Sequence, residues 1–115
     1  MDDNCDAAES LALLLKALGH EATTAYDGPS AIEAARRVGP DLVLCDIGLP
    51  GLSGYKVAER LRTLPGFRDV RLVALTGFGT PDDRQRSRDA GFDDHLVKPV
   101  SPETLRKVLH ALPKA

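Results

Sequence analysis

Asp46 follows the apolar run Leu42-Val43-Leu44-Cys45, Thr76 follows Leu72-Val73-Ala74-Leu75, Lys98-Pro99 follows Leu96-Val97, and two acids, Asp2-Asp3, open the chain. If the apolar runs are parallel strands, these residues meet, because an open α/β sheet binds ligands in the crevice outside the carboxyl ends of its strands. Three carboxylates, a hydroxyl and an ammonium would then share one edge. Such a set suits Mg²⁺-assisted phosphoryl transfer onto a carboxylate. Acids hold the metal, one acid is the nucleophile, and a donor and a cation meet the phosphoryl oxygens. Asp46 is the candidate nucleophile, since directly after an apolar strand a carboxylate has no local helical reason to exist. Read singly, Asp2-Asp3 could be helix-start acids and Thr76 a residue of ordinary strand propensity. Their company with Asp46 gives them weight.

The elements needed to position these residues can be read from the pattern. Asn4 can cap a helix from about Cys5 with Leu11, Leu14, Leu15 and Leu18 on one face, and Gly19 ends it. A short strand is expected near Glu21 to Ala25. Asp27-Gly28-Pro29-Ser30 is a turn and helix start, with Ile32, Ala35 and Val38 inward before Gly39-Pro40. Leu42 to Cys45 and Leu72 to Leu75 are unbroken apolar runs, as in strands buried on both faces. Between them Gly54 to Leu64 reads as a helix with Val57, Ala58, Leu61 and Leu64 on one side. Thr80-Pro81-Asp82-Asp83 and Ser101-Pro102-Glu103 each combine a cap, a first-turn proline and acid, the latter opening a helix with Leu105, Val108, Leu109 and Leu112 inward. Strands alternating with helices mean βαβ units and a parallel sheet.

A chain of 115 residues has room for one domain. With a net charge of −2 and mixed signs throughout, it shows no basic face for nucleic acid and no basic amphipathic helix for a membrane surface. No apolar run approaches the ~20 residues of a membrane span, and Met1 leads into acids instead of a signal segment, so the cytoplasm is the expected compartment. Cys5 and Cys45 form neither a zinc nor a redox motif, and Cys45 reads as a small core residue. His20, His95 and His110 are scattered. One of them could carry phosphate, but the acids already account for the chemistry.

The sequences Asp46-Ile47-Gly48-Leu49-Pro50-Gly51, Ser53-Gly54-Tyr55, Leu75-Thr76-Gly77, Ala90-Gly91-Phe92-Asp93 and Leu96-Val97-Lys98-Pro99-Val100, in this order, resemble a response-regulator receiver domain of two-component signalling. The wording is similar to receivers attached to hybrid histidine kinases. The resemblance implies a flavodoxin-like doubly wound parallel sheet of order 2-1-3-4-5. It also implies Asp46 as phosphoacceptor, Asp3 as direct Mg²⁺ ligand, Asp2 as a ligand through water, and the Gly48 carbonyl as a further ligand. Thr76 and Lys98 would face the phosphoryl oxygens, and Lys98-Pro99 would be cis. A histidine kinase or phosphotransfer protein and a downstream protein target are the implied partners, and a homodimer is compatible with it. The implied role is a phosphoacceptor switch that dephosphorylates itself, not a turnover enzyme.

This chain departs from that pattern in two places. Where the family usually has an aromatic switch residue, three positions before the lysine, it has His95, a smaller polar ring that needs a partner if buried and could add pH dependence. The family's first strand, which would be central and precede the acidic pair, is missing, since Met1 stands directly before Asp2. Residues 1–115 would then form a receiver short of that strand. The expectation is four parallel strands, Asp2 and Asp3 poorly fixed, and a gap, a closed-up sheet or a borrowed strand in the vacant place.

An alternative is a receiver-like interaction module that no longer takes phosphate because Asp2 and Asp3 lack an anchor. A haloacid-dehalogenase-type phosphatase would need a second acid where this chain has Gly48. A nucleotide-binding flavodoxin-like protein is weaker still, because no GxxxxGK[ST] or GxGxxG follows a strand.

Overall fold

A computed structural model describes residues 1–2, 4–47, 54–77, 81–98 and 100–110, without the side chain of Asp83. In chain order the elements are α1 (Cys5–Ala17), α2 (Gly28–Val38), β1 (Leu42–Asp46), α3 (Gly54–Thr63), β2 (Arg71–Thr76), α4 (Pro81–Ala90), β3 (Asp94–Val97) and α5 (Pro102–His110). Local chemistry explains the helix ends. The Asn4 side chain accepts from the Ala7 N–H at 3.1 Å and that of Asp27 from the Ser30 N–H at 2.7 Å, each satisfying a first-turn donor. Gly39 ends α2 at φ 64°, a left-handed conformation that a side chain would penalise.

The three strands pair in parallel in the order β1-β2-β3, with Leu44 opposite Val73 and Leu75 opposite Leu96. Side chains alternate across the sheet and build two cores. Cys45, Leu72 and Ala74 pack with Ala31 and Ala35 of α2 and Val57, Ala58 and Leu61 of α3. Leu44, Val73, Leu75 and Leu96 pack with Leu105 and Val108 of α5, and Leu11, Leu14, Leu15 and Leu18 from α1 and its end join them. Helices therefore cover both faces, as a doubly wound fold requires. Val38, expected inward, is exposed at the last turn of α2. Leu112 and the Thr80 cap lie outside the described residues.

One expectation fails here. Four strands were expected, and among the described residues there are three, since Glu21 to Ala25 forms no strand. A strand exists only through its ladder, and among the described residues Asp2 is the one that bonds to this segment from the side of β1. Met1 and Asp2 make such bonds. The Met1 nitrogen donates to the Leu44 carbonyl, the Asp46 N–H donates to the Met1 carbonyl at 2.8 Å, and the Asp2 N–H donates to the Ala25 carbonyl at 3.1 Å. Behind them a groove of about 470 Å³ runs between residues 21–25 and β1.

Candidate functional site at the carboxyl edge of the sheet

Asp46 is the last residue of β1 and Thr76 the last of β2, while Lys98 follows β3 directly. The Lys98 N–H donates to the Thr76 carbonyl at 2.8 Å, and the Ile47 N–H to the Leu75 carbonyl at 3.1 Å, so the three strand ends are tied side by side. The Lys98 ammonium donates to Asp2 Oδ2 at 2.6 Å and to Asp46 Oδ2 at 2.9 Å. Residues 96 and 52 positions away from the lysine thus meet on one cation. Thr76 is buried beside them.

Asp2 corrects a second expectation. It was expected to hang loosely, yet it is 4% exposed, and its Oδ1 accepts from the Asn4 N–H at 3.0 Å. With its own N–H on Ala25, it is held from the backbone of two segments and from Lys98. Burial is the largest influence on its carboxyl and works to raise its pKa. The hydrogen bonds from Lys98 and Asn4 outweigh it and hold the group below the ordinary carboxylate value of 3.8. Burial likewise acts to lower the Lys98 pKa, but its bonds to Asp2 and Asp46 carry it above 10.5. The two shifts describe one pair, each partner favouring the other's charge.

Two residues shape the site without chemistry of their own. Gly54, first in α3, lies so close under the end of β1 that a Cβ there would stand 2.7 Å from Ile47 Cα and nearer still to the Asp46 carbonyl oxygen. Any side chain would push the helix from the strand that carries Asp46. Cys45 is core as expected, and burial pushes its thiol up to about 12, so it is inert. His95 is half-buried on β3 opposite Ala74.

Asp3, Gly48 and Pro99 lie outside the described residues, so the expected direct ligand, carbonyl ligand and cis bond are not described. The oxygen donors present suit a hard cation such as Mg²⁺, because Asp2 and Asp46 already share a positive charge between them. Among the described residues no cluster of three or more metal-binding side chains forms. The Asn4 amide and the Gly54 contact were not foreseen. Asn4 read as a helix cap and Gly54 as part of a motif, and only the folded chain shows what each approaches.

The sequence profile of the response regulator receiver domain matches residues 1–110, and the chain belongs to this family of two-component signalling domains. It is 41% identical over 113 residues to the probable transcriptional regulatory protein TcrX of Mycobacterium tuberculosis, covering 97% of this chain and 47% of that protein. It is 36% identical over 98 residues to a gliding motility regulatory protein of Myxococcus xanthus, covering 85% of this chain and 13% of that protein. The chain thus spans half or less of these relatives. Among solved structures, the chemotaxis protein CheY4 of Vibrio cholerae superposes with a TM-score of 0.92 at 28% identity, covering 97% of this chain and 93% of that one. The receiver domain of the sensor histidine kinase PA1611 of Pseudomonas aeruginosa, described with a magnesium ion in its active-site cleft, gives 0.88 at 31% identity over 97% and 92% of the two chains.

Proposed function

We propose that this chain is a phosphoacceptor switch in which Asp46 takes a phosphoryl group from the phosphohistidine of a partner kinase or phosphotransfer protein. The observation that supports this most is the Lys98 ammonium bridging Asp46 and Asp2 at a strand-end crevice. An Asp46 carboxylate oxygen attacks phosphorus as the phosphorus–nitrogen bond of the donor breaks. The Lys98 ammonium, already within reach of that oxygen, offsets charge on the transferred group, and the Thr76 hydroxyl donates to a phosphoryl oxygen. Asp2, Asp46, Asp3 and the Gly48 carbonyl would hold Mg²⁺, which supplies charge neutralisation and orientation of the phosphoryl group. The loop after β2 then shifts, and the α4–β3 surface changes its affinity for a protein target in the cytoplasm. Self-catalysed hydrolysis resets it.

Incubation with a small phosphodonor and Mg²⁺ followed by intact-mass analysis tests this reading. One phosphoryl adduct is expected in the wild type and none in Asp46→Asn or with a chelator present. An adduct that survives in Asp46→Asn overturns the assignment. A second reading is a receiver-like interaction module that no longer takes phosphate. That reading requires that Mg²⁺ not bind, which a titration of the apo protein decides.

A further inference from the structure

β3 delivers Lys98 to the site from a start that its own sequence leaves ambiguous. Among the described residues it is an edge strand bonded to β2 alone, and Leu96 is its one buried side chain. A strand with so little burial has its register weakly held by the hydrophobic pattern, and a slip by one residue turns every side chain to the other face. Two adjacent acids, Asp93 and Asp94, stand at its beginning. Asp93 takes both backbone groups of Leu72 on β2: its N–H donates to the Leu72 carbonyl at 2.7 Å, and its Oδ2 accepts from the Leu72 N–H at 2.9 Å. Asp94 offers the same two groups one position later. Arg62, in the last turn of α3, breaks that tie. Its guanidinium donates to Asp93 Oδ2 at 2.8 Å and, from two nitrogens, to the Gly91 carbonyl at 3.0 and 2.8 Å. The Phe67 and Val70 carbonyls hold the same fork at 3.0 and 2.7 Å, so it is a fixed gauge and not a loose ion pair. Gly91 has φ 110°, and a Cβ there would stand 3.0 Å from Arg62 Cγ. If Asp94 took the place of Asp93, Phe92 would take that of Gly91, with a side chain that the positive φ penalises and that crowds the Arg62 stem.

We propose that Arg62 and Asp93 are positioning residues for Lys98: from the far edge of the sheet they select the β3 register that sets its ammonium against Asp46 and Asp2. In that register Leu75 lies opposite Leu96, and the Lys98 N–H reaches the Thr76 carbonyl at 2.8 Å. A slip by one residue displaces the Lys98 backbone by ~3.3 Å and reverses its side. The 2.6 and 2.9 Å contacts of its ammonium do not survive such a shift. As regards phosphoryl transfer, the inference rests on the phosphoacceptor reading. As regards register, it rests on the strand geometry alone.

The test compares Asp93→Ala, Arg62→Lys and Asp93→Asn with the wild type in the full chain. Nuclear magnetic resonance without phosphodonor reads register from the Ala74–His95 and Leu75–Leu96 cross-strand contacts and from exchange of the Lys98 amide. Initial rates with a small phosphodonor and Mg²⁺ read the consequence. Asp93→Ala and Arg62→Lys, the latter keeping the charge but not the fork, should lose these contacts, speed exchange of the Lys98 amide and slow phosphoryl uptake by about tenfold. Asp93→Asn keeps an acceptor for the Leu72 N–H and should bring uptake back to within about threefold of the wild type. In Lys98→Met, adding Asp93→Ala should slow uptake no further, whereas a structural defect independent of Lys98 would add its full effect. Should Asp93→Ala not fold, Arg62→Lys decides, since it removes no backbone bond. Wild-type contacts in the folded variants overturn the proposal, as does a full further slowing in the double variant. A wild type that takes no phosphoryl group overturns the phosphoacceptor reading alone, and the cross-strand contacts still decide this one.

Discussion

Lys98 Nζ lies 2.6 Å from Asp2 Oδ2 and 2.9 Å from Asp46 Oδ2, so one ammonium holds together two acids from opposite ends of the first half of the chain. Replacing it by Met keeps the length and removes the charge. Phosphoryl uptake from a small donor should then slow by about 10²-fold, the usual loss when one pre-placed charge donor is taken from a reacting oxyanion. The fold should lose about 1–3 kcal/mol, because buried Asp2 is left without its cation. Stopped-flow phosphorylation and urea denaturation of Lys98→Met read the two effects separately.

The pH dependence of stability should have three parts. The Asp2 carboxyl sits below 3.8 in the fold, so the stability it contributes is complete above that value and is lost as pH falls through its lower folded pKa. Lys98 sits above 10.5, so its contribution is complete below that value and disappears as pH rises through its higher folded pKa. Burial instead lowers the Met1 amine from 8.0, which penalises its charged form. Stability should therefore rise with pH toward 8.0 and then level off. Thermal midpoints measured from pH 3 to 11 check this. Asp2→Asn should remove the acid limb, and N-terminal acetylation should remove the slope below 8.0. A slope that persists in the acetylated chain contradicts the assignment to Met1.

Helix α4 should be the loosest helix. Its sequence offers no large apolar residue, and only Ser87 and Ala90 are buried among its described side chains. Arg86 helps to dock it by lying 4.4 Å from the centroid of the Tyr55 ring on α3. Few buried contacts mean low local stability. Amide exchange in α4 should be faster than around Leu61 in α3, and Arg86→Ala should accelerate it further. Exchange as slow as in α3 would mean that the helix is held by more than these contacts.

The aspartyl phosphate should be long-lived. In the family, side chains two residues after the nucleophile and two after the threonine help position water, and here they are Gly48 and Phe78. Neither side chain can hydrogen-bond water. Gly48→Asn with Phe78→Glu should release phosphate faster than the wild type, and equal release rates contradict the argument.

Much of the site was legible because strand ends in a parallel sheet share an edge. That rule alone brought Asp46, Thr76 and Lys98 together from their apolar preludes. The misreadings have one physical origin, which is that a strand is not a local property. Glu21 to Ala25 has a suitable position and forms no ladder among the described residues. Asp2, expected to be poorly fixed, is held by long-range bonds to Ala25 and Lys98. Arg62 gave no signal at all, although its guanidinium donates to the Phe67, Val70 and Gly91 carbonyls and pairs with Asp93 at 2.8 Å. Partners up to 31 residues distant are visible only after folding.

The phosphoacceptor assignment is tested most directly by trapping. An aspartyl phosphate is an acyl phosphate, which borohydride reduces to homoserine, so peptide mapping after phosphodonor treatment identifies the acid that reacted. The account predicts homoserine at position 46 and nowhere else, dependent on Mg²⁺ and formed about 10²-fold more slowly when Lys98 is replaced by Met. Reduction at another acid, phosphate on His20, His95 or His110, or no modification at any residue would contradict it.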